Sequence, residues 1–290
     1  MTSASTIPSP VPAAYDRLHD LATDLDVARP MIRNADAPAR APLWHALALD
    51  EFRGVPVVAV VGGGGKTSVV YALAREVAAL GGRAIVTGTT RFTPAPHGWS
   101  MPQLIEASPA EVAARVVRAL GAGTLAVAGV EPQPAGRLAP VTPEVIEALA
   151  GLSGVDAVLV EADGSRARPF KAPGDHEPVI PPCATHVVAV VGASVLGQSL
   201  DEAHVHRPEC VRALVPGLPS DAVCDASLIA RVLADDGGGR KHLAERPFAV
   251  VVNQADSHPE AAQAIAEAIR QAGVARVLVA ALRDAERPLR

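Results

Sequence analysis

An apolar run that breaks into four glycines constrains this chain more than any other segment. Residues Val55 to Thr67 read Val-Pro-Val-Val-Ala-Val-Val-Gly-Gly-Gly-Gly-Lys-Thr. The pattern predicts a buried β-strand that feeds a phosphate-binding loop and then a helix. Gly62, Gly63, Gly64 and Gly65 carry no side chains, so their backbone N–H groups can close around phosphate oxygens. Lys66 adds a point charge for the outer phosphates, and Thr67 a hydroxyl for Mg²⁺. Ser68 sits in the same first helical turn, whose positive end faces the same anion. Four consecutive glycines would cost roughly 1 kcal/mol each if forced into a regular element, so mere connection is a poor reason for them. The competing reading is a glycine-rich turn without a ligand. The usual phosphate-loop pattern needs glycine at position 60, where Val60 stands. What remains, Gly-x-x-Gly-Lys-Thr, is similar to the loop of the ATP-dependent amide ligases of cell-wall synthesis.

From Val55 onward, short apolar segments alternate with amphipathic ones, which predicts a parallel sheet with helices on both faces. The strand candidates are Val57–Val61, Ala84–Thr87, Thr124–Gly129, Ala157–Val160, His186–Val191, Phe248–Val252 and Ala275–Val279. Each is apolar on both faces, as a buried parallel strand is. Helix starts are marked at Ser108-Pro109-Ala110-Glu111, Thr142-Pro143 and Ser257-His258-Pro259-Glu260, which place proline in the first turn. Gly81-Gly82 ends the helix that follows the glycine loop. The fold class expected is α/β, a three-layer sandwich with a mainly parallel central sheet, like the P-loop NTPases. Residues 41–290 form that domain. Residues 1–40 read as an N-terminal extension, partly disordered or helical, with a short helix near Ala13–Leu25, and Leu43–Phe52 reads as a helix leading into the first strand.

Composition excludes several classes. Net charge is −5 and no basic tract appears, so nucleic-acid binding by phosphate neutralisation is not expected. Aromatic residues are 3% of the chain, too few for base-stacking surfaces. No apolar stretch reaches the ~20 residues of a membrane span. Met1 to Pro12 lacks a signal-peptide apolar region, and a cytoplasmic location is expected. Cys183, Cys210 and Cys224 match neither a disulfide framework nor a Cys-x-x-Cys metal site. Lysine occurs only at Lys66, Lys171 and Lys241. A chain that otherwise uses arginine keeps lysine where a compact ammonium is needed, which singles out Lys66 and Lys171.

A second cluster follows the strand at Ala157–Val160, in Glu161-Ala162-Asp163-Gly164-Ser165. Ligands of open parallel sheets sit beyond the carboxyl ends of strands, so both carboxylates belong beside the glycine loop. Glu161 is read as a Mg²⁺ ligand with Thr67, and Asp163 as the group that positions a water or moves a proton. Arg166, Arg168 and Lys171 then make a basic loop for a second small anion, alongside His176 and Arg207. The alternative is a solvated loop that pairs with its own acids. Thr89, Thr90 and Arg91, at the end of the second strand, are read either as further substrate contacts or as an ordinary threonine-rich strand end. His204, His206 and His176 with Glu177 could also gather a transition metal, though at irregular spacing. Asn253-Gln254-Ala255-Asp256 resembles the Asn-Lys-x-Asp base-recognition motif of GTPases, with Gln254 in place of lysine. Asn253 and Asp256 would then contact the base; otherwise they only lead into the next helix.

Four strings taken together resemble one family. They are Val61-Gly62-Gly63-Gly64-Gly65-Lys66-Thr67; Leu159-Val160-Glu161-Ala162-Asp163-Gly164-Ser165-Arg166; Lys171-Ala172-Pro173 with His176-Glu177-Pro178; and Val205-His206-Arg207-Pro208-Glu209. In this order and spacing they are similar to the selenium-dependent molybdenum hydroxylase accessory proteins. The resemblance runs from about Phe52 to Asp256. It implies a role in maturing a molybdenum-cofactor hydroxylase, with an apo-hydroxylase as a protein partner. Three functions are consistent with these residues. The first is a Mg²⁺-dependent NTPase taking ATP or GTP. The second is an ATP-dependent ligase or kinase acting on a small acid. The third is a nucleotide-gated chaperone without turnover.

Overall fold

The structure, a computed structural model, describes residues 31–34, 41–94, 103–105, 109–119, 123–130 and 136–282. Its strands are β1 (Met31–Asn34), β2 (Val57–Gly62), β3 (Arg83–Gly88), β4 (Gln103–Ile105), β5 (Gly123–Ala128), β6 (Ala157–Glu161), β7 (Phe170–Lys171), β8 (His186–Gly192), β9 (Val205–His206), β10 (Phe248–Asn253) and β11 (Val277–Ala281). The helices are α1 (Leu43–Ala46), α2 (Lys66–Ala79), α3 (Pro109–Ala119), α4 (Pro143–Ala150), α5 (Pro208–Leu214), α6 (Ala226–Ala234) and α7 (Pro259–Gln271).

The main sheet runs β1-β11-β10-β8-β2-β6-β3-β5-β4. Every pairing in it is parallel except that of β1, which lies antiparallel on β11. All seven strands expected from sequence are present, within a residue or two at each end. Met31–Asn34, inside the stretch read as an N-terminal extension, supplies the antiparallel edge. The helix proposed near Ala13–Leu25 lies outside the described residues. The helix expected over Leu43–Phe52 is interrupted. Ala48 adopts a left-handed φ of 56°, which splits the segment into α1 and a 3₁₀ turn at Leu49–Glu51.

Alternation along each strand sorts the core into two layers. Val58, Val60, Leu159, Val188 and Val190 pack with α1 and α2 on one face. Val57, Ala59, Val61, Val158, Val160, Val187 and Ala189 pack with α3, α4, α6 and α7 on the other. The strands are therefore apolar throughout, because a helix covers each side. Helix α2 ends as its glycines predict. Gly81 has φ 74°, its N–H donates to the Ala78 carbonyl, and Gly82 N–H donates to that of Val77, a Schellman closure. Strand β2 is central, between β6 and β8. That position puts the end of β2 beside the ends of both neighbours.

Candidate functional site at the carboxyl ends of the central strands

Close backbone approach dictates glycine in the loop after β2. A Cβ on Gly64 (φ 77°) would lie 2.1 Å from the Gly192 nitrogen, and one on Gly62 (φ 92°) 2.4 Å from the Val190 carbonyl oxygen. The loop is thus wedged against the end of β8. Its amides are largely engaged by protein. Gly62 N–H donates to Asp163 Oδ2 at 3.1 Å, Gly63 N–H to the Val190 carbonyl at 2.9 Å and Gly64 N–H to the Arg168 carbonyl at 2.9 Å. Phosphate contact through the whole glycine run is therefore not what this arrangement offers. A buried amide needs a partner, and here the neighbouring chain provides it. Helix α2 opens from Gly65 with no side-chain cap, which leaves its first turn, at Lys66 and Thr67, without one source of acceptors.

Lys66 is only 4% exposed. Its Nζ donates to the Gly62 carbonyl at 2.8 Å and to Ser165 Oγ at 3.1 Å. Burial pulls its pKa below the ordinary lysine value, against the opposing pull of Glu161 and Asp163. Thr67 Oγ1 donates to Glu161 Oε2 at 3.0 Å. Burial raises the Glu161 pKa, and Lys66 and the Thr67 hydroxyl only partly offset this. A hydroxyl and a carboxylate converging at that distance are two hard oxygen donors, the set Mg²⁺ takes when phosphates and water complete its shell. The residues fit that ion. Among the described residues, no group of three or more His, Cys, Asp or Glu gathers for a metal. The transition-metal reading of the histidines and Glu177 is not supported there.

Asp163 and Lys171 play a part different from the one their spacing implied. Lys171 Nζ donates to Asp163 Oδ1 at 2.5 Å, to Glu177 Oε2 at 2.6 Å and to the Gly164 carbonyl at 2.7 Å. The Lys171 and Asp163 side chains are 1% and 3% exposed. With Asp163 Oδ2 on the Gly62 amide, both carboxylate oxygens are occupied. Arg207 Nη2 extends the chain to Glu177 Oε1 at 2.9 Å. The result is a buried brace under the glycine loop. Burial raises the Asp163 pKa despite Lys171. Glu177 is held low: its own burial works upward, but the Lys171 hydrogen bond and charge outweigh it.

His206 pairs in register with Lys171 across β7 and β9. Burial, and then the charges of Lys171 and Arg207, push its pKa down to about 4. The unfolded chain therefore binds the extra proton between about pH 6.5 and 4. Stability conferred by neutral His206 is complete above that window and declines as pH falls through it. His206→Gln is expected to flatten the pH dependence of the urea midpoint across this window.

A cleft of about 470 Å³ opens beside these groups. Of the residues singled out from sequence, Gly64, Gly65, Lys66, Thr67, Ser68, Glu161, Arg166, Asn253 and Asp256 line it. A second cavity of about 260 Å³, with Phe52, His186 and Phe248 in its wall, sits at the amino ends of the strands. Position favours the first, since ligands of parallel sheets bind beyond the carboxyl ends. Asn253 is tied on both sides of its amide. Nδ2 donates to the Gly64 carbonyl at 3.0 Å, and Oδ1 accepts from Leu282 N–H at 3.2 Å. It orients the loop, while exposed Asp256 stands at the rim. Gln254 Oε1 accepts from Ser194 N–H at 3.1 Å.

Several expected contacts lie outside the cleft lining. Gly62, Gly63, Asp163, Lys171 and Arg207 belong to the brace and loop just described. Arg168 contributes its carbonyl to Gly64. Thr89 Oγ1 donates to the Val179 carbonyl at 2.6 Å, and Thr90 Oγ1 is buried without a partner. Arg91 and His176 are exposed. Arg137 and Ser165 line the cleft and were not singled out from sequence. Ser165 was legible as the end of the Glu-Ala-Asp-Gly-Ser string. Arg137 lies in no motif, and only the packing of its loop brings it here.

A protein-family model described as YqeC protein matches residues 58–209. "Uncharacterized protein YqeC" of Escherichia coli (strain K12) is 34% identical over 197 residues, which cover 64% of this chain and 71% of that protein. No solved structure matches the chain. Among the described residues, no helix is long and apolar enough to cross a membrane.

Proposed function

The chain belongs to the YqeC protein family, and on that premise we propose that it is a Mg²⁺-dependent nucleotide-binding protein with NTPase activity. It serves as an accessory factor in the maturation of a selenium-dependent molybdenum hydroxylase. The pathway rests on the resemblance of the four motif strings to the accessory-protein family. The chemistry rests on the contact between Thr67 Oγ1 and Glu161 Oε2 at 3.0 Å, at the mouth of a cleft that also receives Lys66.

In this reading the uncapped first turn of α2 and the Lys66 ammonium take the polyphosphate. Thr67 and Glu161 hold magnesium, which when bound neutralises charge between the outer phosphates. Phosphate oxygens would take the place of the Gly62 carbonyl and Ser165 Oγ as acceptors for Lys66. The Asp163–Lys171 brace holds the loop in place, and catalysis is then mainly positioning and electrostatics.

Calorimetric titration with ATP, GTP and CTP, each with and without Mg²⁺, tests the proposal. Binding that needs Mg²⁺ is expected for ATP or GTP. Glu161→Gln should lower the Mg²⁺-dependent part of the affinity by about tenfold or more, the scale of one lost charged hydrogen-bonding group. Absence of binding by any of the three nucleotides in the wild type would sink the assignment. A ligase or kinase acting on a small acid needs a seat for a second anion. Lys171 and Arg207 are paired with acids, so Arg166 on the cleft wall would hold it, and turnover would depend strictly on the added acid. A nucleotide-gated chaperone would bind nucleotide and an apo-hydroxylase with negligible turnover.

A further inference from the structure

Arg137 reaches the cleft from the loop between β5 and α4, and nothing in its immediate sequence explains why the loop is held there. The backbone that follows it is fixed. Leu138 exchanges two hydrogen bonds with Phe92, at 2.9 and 3.2 Å, and Val141 N–H donates to the Gly88 carbonyl at 2.9 Å. Gly129 and Ala139 form a further bridge. The side chain is oriented as well. Nη1 donates to Thr93 Oγ1 at 2.8 Å and Nη2 to the Arg91 carbonyl at 3.1 Å. Both acceptors are neutral, so neither offsets the positive charge beside it. Two of its five N–H groups are used in this way. Among the described residues no carboxylate pairs with it. An arginine so anchored costs little further side-chain entropy when it binds.

The wall it shares is informative. Arg137 lines the cleft with Lys66, Thr67 and Glu161, and its charge acts on both Lys66 and Glu161. A guanidinium held on the same cleft wall as the start of α2, with no carboxylate partner among the described residues, is complementary to the outermost charge of a bound polyphosphate. We propose that Arg137 binds the terminal phosphate of a nucleoside triphosphate, so that the protein distinguishes triphosphate from diphosphate. This inference rests on the nucleotide-binding reading above.

The test measures dissociation constants of the full chain for GDP, ADP and their β,γ-imido triphosphates, each with Mg²⁺, in the wild type, Arg137→Ala and Arg137→Lys. The wild type is expected to prefer triphosphate. Arg137→Ala should lose about tenfold to a hundredfold in triphosphate affinity, the range for hydrogen bonds to charged groups. Its diphosphate affinity should stay within about threefold of wild type. Arg137→Lys keeps the charge but not the fork and should fall between the two. An equal loss for both nucleotides would mean that Arg137 only shapes the loop, and would overturn the proposal. So would a wild type that binds di- and triphosphate equally. A wild type that binds neither removes the nucleotide reading itself, which is a different failure.

Discussion

Lys171→Met is expected to destabilise the folded protein by about 3–5 kcal/mol, the cost of stripping one partner from a buried ion pair. The estimate follows from burial, since both side chains are almost wholly removed from solvent. Lys171 spends its donors on Asp163, Glu177 and the Gly164 carbonyl. Methionine has similar length but no donors, so Asp163 would be left charged in a dry site or forced to take a proton. Burial already raises the Asp163 pKa, and loss of Lys171 would raise it further. Urea unfolding should show a lower midpoint with an unchanged slope. The double variant Asp163→Asn, Lys171→Met removes both charges and should recover part of the loss. A single variant as stable as wild type would show that the brace is not a structural element.

Lys66→Ala is expected to reduce nucleotide turnover by about a hundredfold or more, the scale on which a positioned electrostatic group acts. The fold should survive. Burial of Lys66 is unfavourable to its charge, and its two hydrogen bonds go to neutral acceptors, the Gly62 carbonyl and Ser165 Oγ, so its removal strands no buried charge bonded to it. Lys66→Arg should not restore turnover. The guanidinium is larger and planar, and the site admits a compact ammonium that is nearly enclosed. Circular dichroism checks the fold and phosphate release the activity. Wild-type turnover in a folded Lys66→Ala protein would remove the catalytic assignment.

The elements of this fold were legible because their signals are local. Each parallel strand is a short apolar run covered on both faces, and Gly81-Gly82 closes α2 by the Schellman bonds its sequence calls for. The Thr67–Glu161 contact was legible too. It joins the start of the helix after one strand to the end of another, and both positions follow from the rule for strand carboxyl ends. The role of Asp163 was not. A carboxylate after a strand reads the same whether it faces a ligand or braces a loop. The partner that decides, Lys171, sits on β7, in a separate two-stranded sheet. Asn253 is similar: the GTPase-like motif is legible, yet its amide is spent on Gly64 and Leu282.

The order of residues determined by itself where chain direction changes, which faces are apolar, and that a lysine and a hydroxyl follow a side-chain-free turn. Those properties depend on neighbours a few positions apart. Strand order is different in kind. Placing β2 between β6 and β8 brings Val190, Gly192, Arg168 and Asp163 onto the glycine loop and engages amides that looked available. The packing of the Leu138 segment on Phe92 likewise carries Arg137 to the cleft. Such encounters are between residues far apart in the chain. They are set by which buried faces and backbone groups satisfy one another when the layers close, and no local pattern records them.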